Sequence, residues 1–211
     1  MGLCDFHCHL LPQIDDGYIT SEGYARMLRL YKESGVSSIA FTPHIYNPYM
    51  ATDVGAIRET FKWASKIALD MGMVTYLGSE LFVGDQAELK SIPIAGKYSL
   101  VEFGLSLPPA NLIPRLEKLR DEGLTIIIAH VERYRWLSPS SPALKRLLAL
   151  GALMQVNVEA VEDGSALPYL KGGLVDLIAT DNHGDETLPS RMLAALNDWP
   201  AVHKKMEGMI V

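Results

Sequence analysis

Two histidines, His7 and His9, stand one residue apart in the opening run Leu3-Cys4-Asp5-Phe6-His7-Cys8-His9-Leu10-Leu11. In a strand, side chains two apart point the same way, so Asp5, His7 and His9 share one face and Cys4, Phe6 and Cys8 the other. Neutral imidazole nitrogen is a strong borderline ligand, and two held side by side on a rigid strand make half a site for a divalent metal. Carboxylates follow in the turn from Pro12 to Gly17, as Asp15 and Asp16. These residues point to a metal centre at the C-terminal end of the first strand. The plainer reading is two ordinary histidines at an exposed strand end. Cys4 and Cys8 are poorly placed to bridge each other and read as small apolar packing residues.

A steady alternation of apolar runs and amphipathic stretches must position that strand. Strands are expected at 3–9, 36–42, 73–80, 98–103, 124–130, 152–158 and 174–180. Helices are expected at 21–34, 53–71, 114–122, 141–150 and 189–197, with a short one near 165–171 and irregular elements over 82–97. Strands alternating with helices imply a parallel sheet with right-handed crossovers. Seven such units suit a closed α/β barrel of the (β/α) type. An open doubly wound sheet is the alternative, weakened because no Gly-rich phosphate loop follows any strand.

The metal-capable residues fall at the strand exits. His7 and His9 end the first strand and His44 follows the second. Glu80, Glu102 and His130 end the third, fourth and fifth, and Asp181 and His183 follow the seventh. Of six histidines only His203 lies elsewhere. Each residue alone has an ordinary reading as a loop or capping residue. Together they occupy the face where barrel enzymes place their active sites.

Composition narrows the class. At 211 residues, 48% hydrophobic and 21% charged, the chain fits one globular domain spanning 1–211. A formal charge of −6 with no basic run argues against nucleic acid as partner. No apolar run approaches the ~20 residues that span a bilayer, and the N-terminus opens straight into a strand pattern, so no membrane insertion and a cytoplasmic location are expected. A cysteine-based phosphatase needs Arg six positions after its Cys; Leu10 and Ile14 stand there.

The ordered set Asp5-Phe6-His7-Cys8-His9, Thr42-Pro43-His44, Gly78-Ser79-Glu80, Ala129-His130-Val131-Glu132-Arg133-Tyr134 and Asp181-Asn182-His183 resembles the PHP (polymerase and histidinol phosphatase) superfamily. The Asp15-Asp16-Gly17 turn and the His-Val-Glu-Arg-Tyr run are most similar to its bacterial manganese-dependent tyrosine phosphatases of the CpsB/YwqE/Wzh type. The resemblance covers the chain to about residue 191. It implies a distorted (β/α)7 barrel of PHP type holding three divalent metal ions, manganese foremost, with iron or zinc as alternatives. By position, His7, His9, Glu80 and Asp181 would hold one ion. A bridging Glu80 with Glu102 and His130 would hold a second, and Asp16, His44 and His183 a third. Asn182 departs from the family's usual Ala, and the region from Glu159 to Lys171 is short.

The implied activity is phosphomonoester hydrolysis by metal-activated hydroxide, most specifically on the phosphotyrosine tail of an autophosphorylated bacterial tyrosine kinase linked to capsule or exopolysaccharide synthesis. Four ligand carboxylates would leave three divalent ions a net positive charge suited to a phosphate dianion. Arg133 is the expected catalytic phosphate clamp, by its planar fork, and Arg191 a second candidate or else a helix-surface residue. Asp5 is expected to orient a ligand histidine. Tyr46 and Tyr49, after His44, either stack on an aromatic ester or pack their own loop. A small-molecule phosphatase, such as one for histidinol phosphate, is the alternative within the chemistry. A catalytically silent metal-binding partner of a kinase is the alternative outside it. A metal-dependent deoxyribonuclease does not predict the Thr-Pro-His and His-Val-Glu-Arg-Tyr runs.

Overall fold

The computed structural model describes residues 2–17, 19–86 and 88–210. Strand β1 (Leu3–Cys8) pairs in parallel with β2 (Val36–Phe41), and β2 with β4 (Val74–Leu77). A second run of parallel pairings joins β3 (His44–Ile45), β5 (Glu80–Phe82), β6 (Tyr98–Glu102), β7 (Thr125–Ile128), β8 (Leu153–Asn157) and β9 (Leu177–Ala179). The circle closes between the strand exits, where Asp181 N donates to His7 O (2.8 Å) and His9 N to Asn182 O (2.9 Å). Two of the seven staves are broken, β2/β3 and β4/β5, which makes this a distorted (β/α)7 barrel, as the sequence leads one to expect.

The breaks have local causes and fix the site. Pro43 has no N–H to donate, so β2 stops at Phe41 and pairing resumes at His44. The third expected strand, 73–80, is two strands. At Gly78 a Cβ would lie 2.4 Å from Ile94 Cγ1, so only glycine lets the chain cross there, and Gly78 N bonds Phe41 O at 2.8 Å. The jog sets His44 opposite Glu80 in the β3–β5 register.

Helices α1 (Ser21–Glu33), α2 (Val54–Asp70), α3 (Leu112–Asp121) and α4 (Pro142–Ala149) match their expected spans to within two residues. Thr20, Asp53 and Ser141 cap α1, α2 and α4 by accepting backbone N–H bonds. The core face of α1 is Tyr24, Met27, Leu28 and Tyr31, all buried. Between β8 and β9 lie two helices, α5 (Val158–Glu162) and α6 (Leu167–Lys171), where one was expected. After α7 (Leu188–Asp198) comes an unexpected α8 (Pro200–Glu207), because Pro200 begins a helix at its first position instead of ending one. Among the described residues no helix joins β5 to β6.

Candidate metal centre

Strand exits aim the candidate ligands at one point. His130 and Asp181 have left-handed backbone, with φ of 31° and 50°, a conformation that costs a non-glycine residue about 1–3 kcal/mol and that clusters at functional sites. Both follow buried strands, and both side chains turn inward over the barrel mouth.

The deepest group is His7, His9, Glu80 and Asp181, all buried. His7 Nε2 lies 3.1 Å from His9 Nε2, 3.3 Å from Glu80 Oε2 and 3.2 Å from Asp181 Oδ1. His9 Nε2 lies 3.3 Å and 3.4 Å from the same two oxygens. The hydrogen-bond network assigns the tautomers. Gln155 Oε1 accepts from the His130 backbone N–H (2.8 Å), so His7 Nδ1, 3.2 Å away, must be its second donor. His9 Nδ1 donates to Asp15 Oδ2 at 2.7 Å. In the neutral rings both Nε2 lone pairs face each other and two carboxylate oxygens. Four such atoms so close call for shared positive charge, from a metal ion or, without one, from protons on the histidines. Edges of 3.1–3.4 Å fit a tetrahedron whose centre is about 2.0 Å from each corner, a metal–ligand length. The donor set fits a divalent transition metal.

Glu80 is the hub. Its Oε2 also lies 3.1 Å from His44 Nδ1, and its Oε1 lies 2.9 Å from His130 Nε2. His44 Nδ1 faces Glu102 Oε1 as well, at 3.1 Å, so His44, Glu80 and Glu102 form a second donor group. A third comprises His9, Asp16, His44 and His183. There His183 Nε2 is 3.1 Å and His44 Nε2 3.7 Å from Asp16, while His183 Nδ1 donates to Asp181 O at 2.7 Å. His44 thus stands between two groups, where the sequence reading gives it to one. Among the described residues no three-donor group unites His130 with Glu102; they flank Glu80 from different sides.

Electrostatics follow the same map. Burial opposes charge on His7 and His9, but Glu80 and Asp181 beside one and Asp15 beside the other hold both pKa values up. Burial likewise opposes ionisation of Glu80 and Asp181, yet the adjacent His7 and His9 keep both well below the usual carboxylate range. The Nδ1 of His130, also buried, has no hydrogen-bond partner among the described residues.

A cleft of about 490 Å³ opens over these groups and reaches Arg133. The half-exposed guanidinium of Arg133 holds Asp181 Oδ2 at 2.9 Å. Arg191 is not brought to the cleft. Its guanidinium is bound to Glu162 and Asp185 on the outer surface, the ordinary helix-surface role. Asp5 touches no imidazole side chain. It accepts from Tyr31 OH (2.9 Å), from the Thr180 hydroxyl and from Thr180 N (3.1 Å), and so ties β1 to β9. Cys4 and Cys8 are free and buried, with burial pushing the Cys4 thiol up to about 12.

The orienting roles fall to Gln155 and Asn157, which the sequence does not single out, and to Asp15, which it offers only as a turn carboxylate. Gln155 fixes His7, Asp15 fixes His9, and Asn157 Nδ2 donates to Asp181 Oδ2 at 2.9 Å. Gln155 Nε2 in turn donates to Asn157 Oδ1 at 2.7 Å. Their signal was two amides at i and i+2 inside an apolar strand. Gln155→Leu frees the His7 tautomer, so metal affinity is expected to fall about 10- to 100-fold. Competition with a fluorescent chelator measures it, and an unchanged affinity would show that Gln155 does not orient His7.

Comparison with known proteins places this geometry in a family. The model of the family described as capsular polysaccharide synthesis, CpsB/CapC, matches residues 3–209. The tyrosine-protein phosphatase CpsB of Streptococcus pneumoniae is 26% identical, over 92% of this chain and 88% of that protein. The tyrosine-protein phosphatase YwqE of Bacillus subtilis is 27% identical, over 88% and 79%. A crystal structure from the work on YwqE and S. pneumoniae CpsB, described as metal-dependent tyrosine phosphatases, superposes with a TM-score of 0.77 at 25% identity, covering 93% of this chain and 87% of that one. Parallel barrel, nine convergent candidate ligands and a match over nearly the whole sequence lead to one assignment: the chain belongs to the CpsB/CapC family.

Proposed function

We propose that this protein is a metal-dependent protein-tyrosine phosphatase. In this reading residues 1–211 act as one barrel domain in the bacterial cytoplasm. The substrate is an autophosphorylated tyrosine kinase linked to capsule or exopolysaccharide synthesis. The observation that carries the proposal is the set of imidazole Nε2 atoms and carboxylate oxygens converging at 3.1–3.4 Å beneath an open cleft. The names of the relatives support the choice of phosphotyrosine, and no helix among the described residues is long and apolar enough to cross a membrane.

The residues proposed to hold the ions are His7, His9, Asp16, His44, Glu80, Glu102, His130, Asp181 and His183, with three divalent ions, manganese first. When bound, the ions would supply Lewis acidity toward the phosphoryl oxygens and toward water. The chain's own part is to bind and orient. Arg133, at the cleft wall, offers a fork to the phosphoryl oxygens, and its contact with Asp181 keeps it aimed across the mouth. The Gln155–Asn157–Asp181 chain of hydrogen bonds keeps Asp181 from rotating. A phenolate leaving group, with pKa near ~10, needs little help from a general acid.

Metal analysis of the purified protein, run beside hydrolysis of a phosphotyrosyl peptide and of histidinol phosphate with added Mn²⁺, tests the reading. Peptide turnover with close to three ions per chain supports it; an active enzyme that ignores the peptide sinks it. Arg133→Ala is expected to raise KM for the phosphopeptide about 10- to 100-fold, as loss of a charge-assisted pair does. Metal content should not change, and its loss would make Arg133 a structural prop for Asp181.

A further inference from the structure

Large apolar side chains left in water are informative when they cluster beside a cleft. Tyr46 (49% exposed), Tyr49 (95%), Leu105 (53%) and Leu107 (76%) all lie on two loops, 46–50 after β3 and 104–109 after β6. Tyr49 and Leu105 line the cleft over the candidate metal ligands. At 95% exposure Tyr49 packs on nothing, which removes the reading of that tyrosine as a loop anchor.

The loops are held from below. Asn47 Nδ2 donates to Glu102 Oε1 (3.1 Å) and Asn47 Oδ1 accepts from Tyr49 N (2.9 Å). On the facing loop, Trp136 Nε1 donates to Gly104 O (3.0 Å) and Arg135 N to Leu105 O (3.1 Å). Fixed backbones present their apolar tips outward instead of folding them in. Neither stretch, Tyr46-Asn47-Pro48-Tyr49-Met50 or Gly104-Leu105-Ser106-Leu107-Pro108-Pro109, carries a charge. Leu107, two residues after the cleft-lining Leu105, is not itself among the residues that line the cleft.

We propose that these loops are lips that grip the polypeptide on either side of the phosphotyrosine, and that they select a segment whose flanking residues are apolar and uncharged. This inference rests on the phosphatase reading above. Preorganised apolar lips make a polypeptide a better substrate than free phosphotyrosine, and acidic flanks gain nothing from them.

Three substrates test the proposal on the full chain with Mn²⁺: free phosphotyrosine, a phosphotyrosyl peptide flanked by Leu, Val and Ala, and one flanked by Asp and Glu. The apolar peptide is expected to exceed both others in kcat/KM by about tenfold or more, mainly through KM, as burial of a Tyr and a Leu side chain would give. The Tyr49→Ser/Leu107→Ser double variant is expected to erase that ratio. Leu69→Ser, at an exposed leucine on α2, should keep it. Equal use of the three substrates by an active wild type, or a preference that survives the double variant, overturns the lips while leaving the phosphatase reading intact. A wild-type dimer in sedimentation that the double variant dissociates, with peptide preference unaltered, assigns the lips to a second copy and also overturns the proposal. No turnover of any of the three overturns the phosphatase reading itself.

Discussion

Glu80→Gln is expected to lower phosphotyrosine turnover by on the order of a thousandfold, the several kcal/mol that metal stabilisation of a charged transition state supplies. The reason is its position among the histidines. One carboxylate lies 3.3 Å from His7 Nε2, 3.3 Å from His9 Nε2, 3.1 Å from His44 Nδ1 and 2.9 Å from His130 Nε2. Glutamine keeps the shape but removes the negative charge and puts an N–H₂ donor at one of the two oxygen positions. Whichever way the amide turns, a position that needs an acceptor holds a donor. Metal content should drop along with turnover, read by elemental analysis, while circular dichroism stays that of the folded barrel. Glu102→Gln is the comparison. Among the described residues Glu102 pairs only with the His44 and Asn47 side chains, so its loss should be nearer 10- to 100-fold. A Glu80→Gln protein that keeps its ions and its rate would dismantle the ligand map at its centre.

The catalytic face was legible because its residues carry their own signal. Imidazoles and carboxylates at the ends of apolar runs are rare enough that five of six histidines at strand exits had one sensible explanation. The rest depended on contacts between residues far apart in the chain. Asp5 shares a strand face with His7 and His9, and from sequence it reads as their helper. Its partner is Thr180, brought to it only when the barrel closes. Arg191 has the chemistry of a phosphate clamp, but Glu162 from the neighbouring α5 already holds it. Gln155 and Asn157 were visible as an alternating polar pair, yet amides suggest no metal by themselves. The breaks after Phe41 and Leu77 were half legible. Pro43 announces the first. The second depends on Ile94 packing where a Cβ at Gly78 would go, which no local pattern contains. Helix α5 is five residues long, too short for a 3.6-residue period to show.

Stripping the metal with a chelator is expected to abolish turnover, to lower Tm, and to make the loss of Tm larger as pH rises. The sign follows from the shifts in the metal-free cluster. Burial alone would lower the His44 pKa, but its bonds to Asp16 and Glu102 outweigh burial and lift it from 6.5 to about 10. A group whose folded pKa is raised stabilises the fold fully below its unfolded value and loses that contribution as pH climbs through the folded one. His7 and His9 shift the same way. Glu80 and Asp181 shift down, so their contribution is present above the ordinary carboxylate range and is lost only in acid. The stripped protein is therefore best between about pH 5 and 6.5, where protonated histidines stand in for the missing cations. Toward pH 9 the unfolded chain has given up its histidine protons while the folded cluster still holds on to them, so the contribution shrinks with each pH unit and is gone once pH passes the folded value. The loaded protein has no such dependence, because its ligands hold ions in place of protons. The Tm gap between loaded and stripped protein should widen by on the order of 5 °C from pH 6.5 to pH 9, a change of roughly 1–2 kcal/mol for a chain of this size. Restoring Mn²⁺ at pH 9 should close the gap and return turnover together. A gap that is the same at both pH values would mean that the histidines carry no protons in the stripped cluster, and would remove protonation as what holds that cluster together.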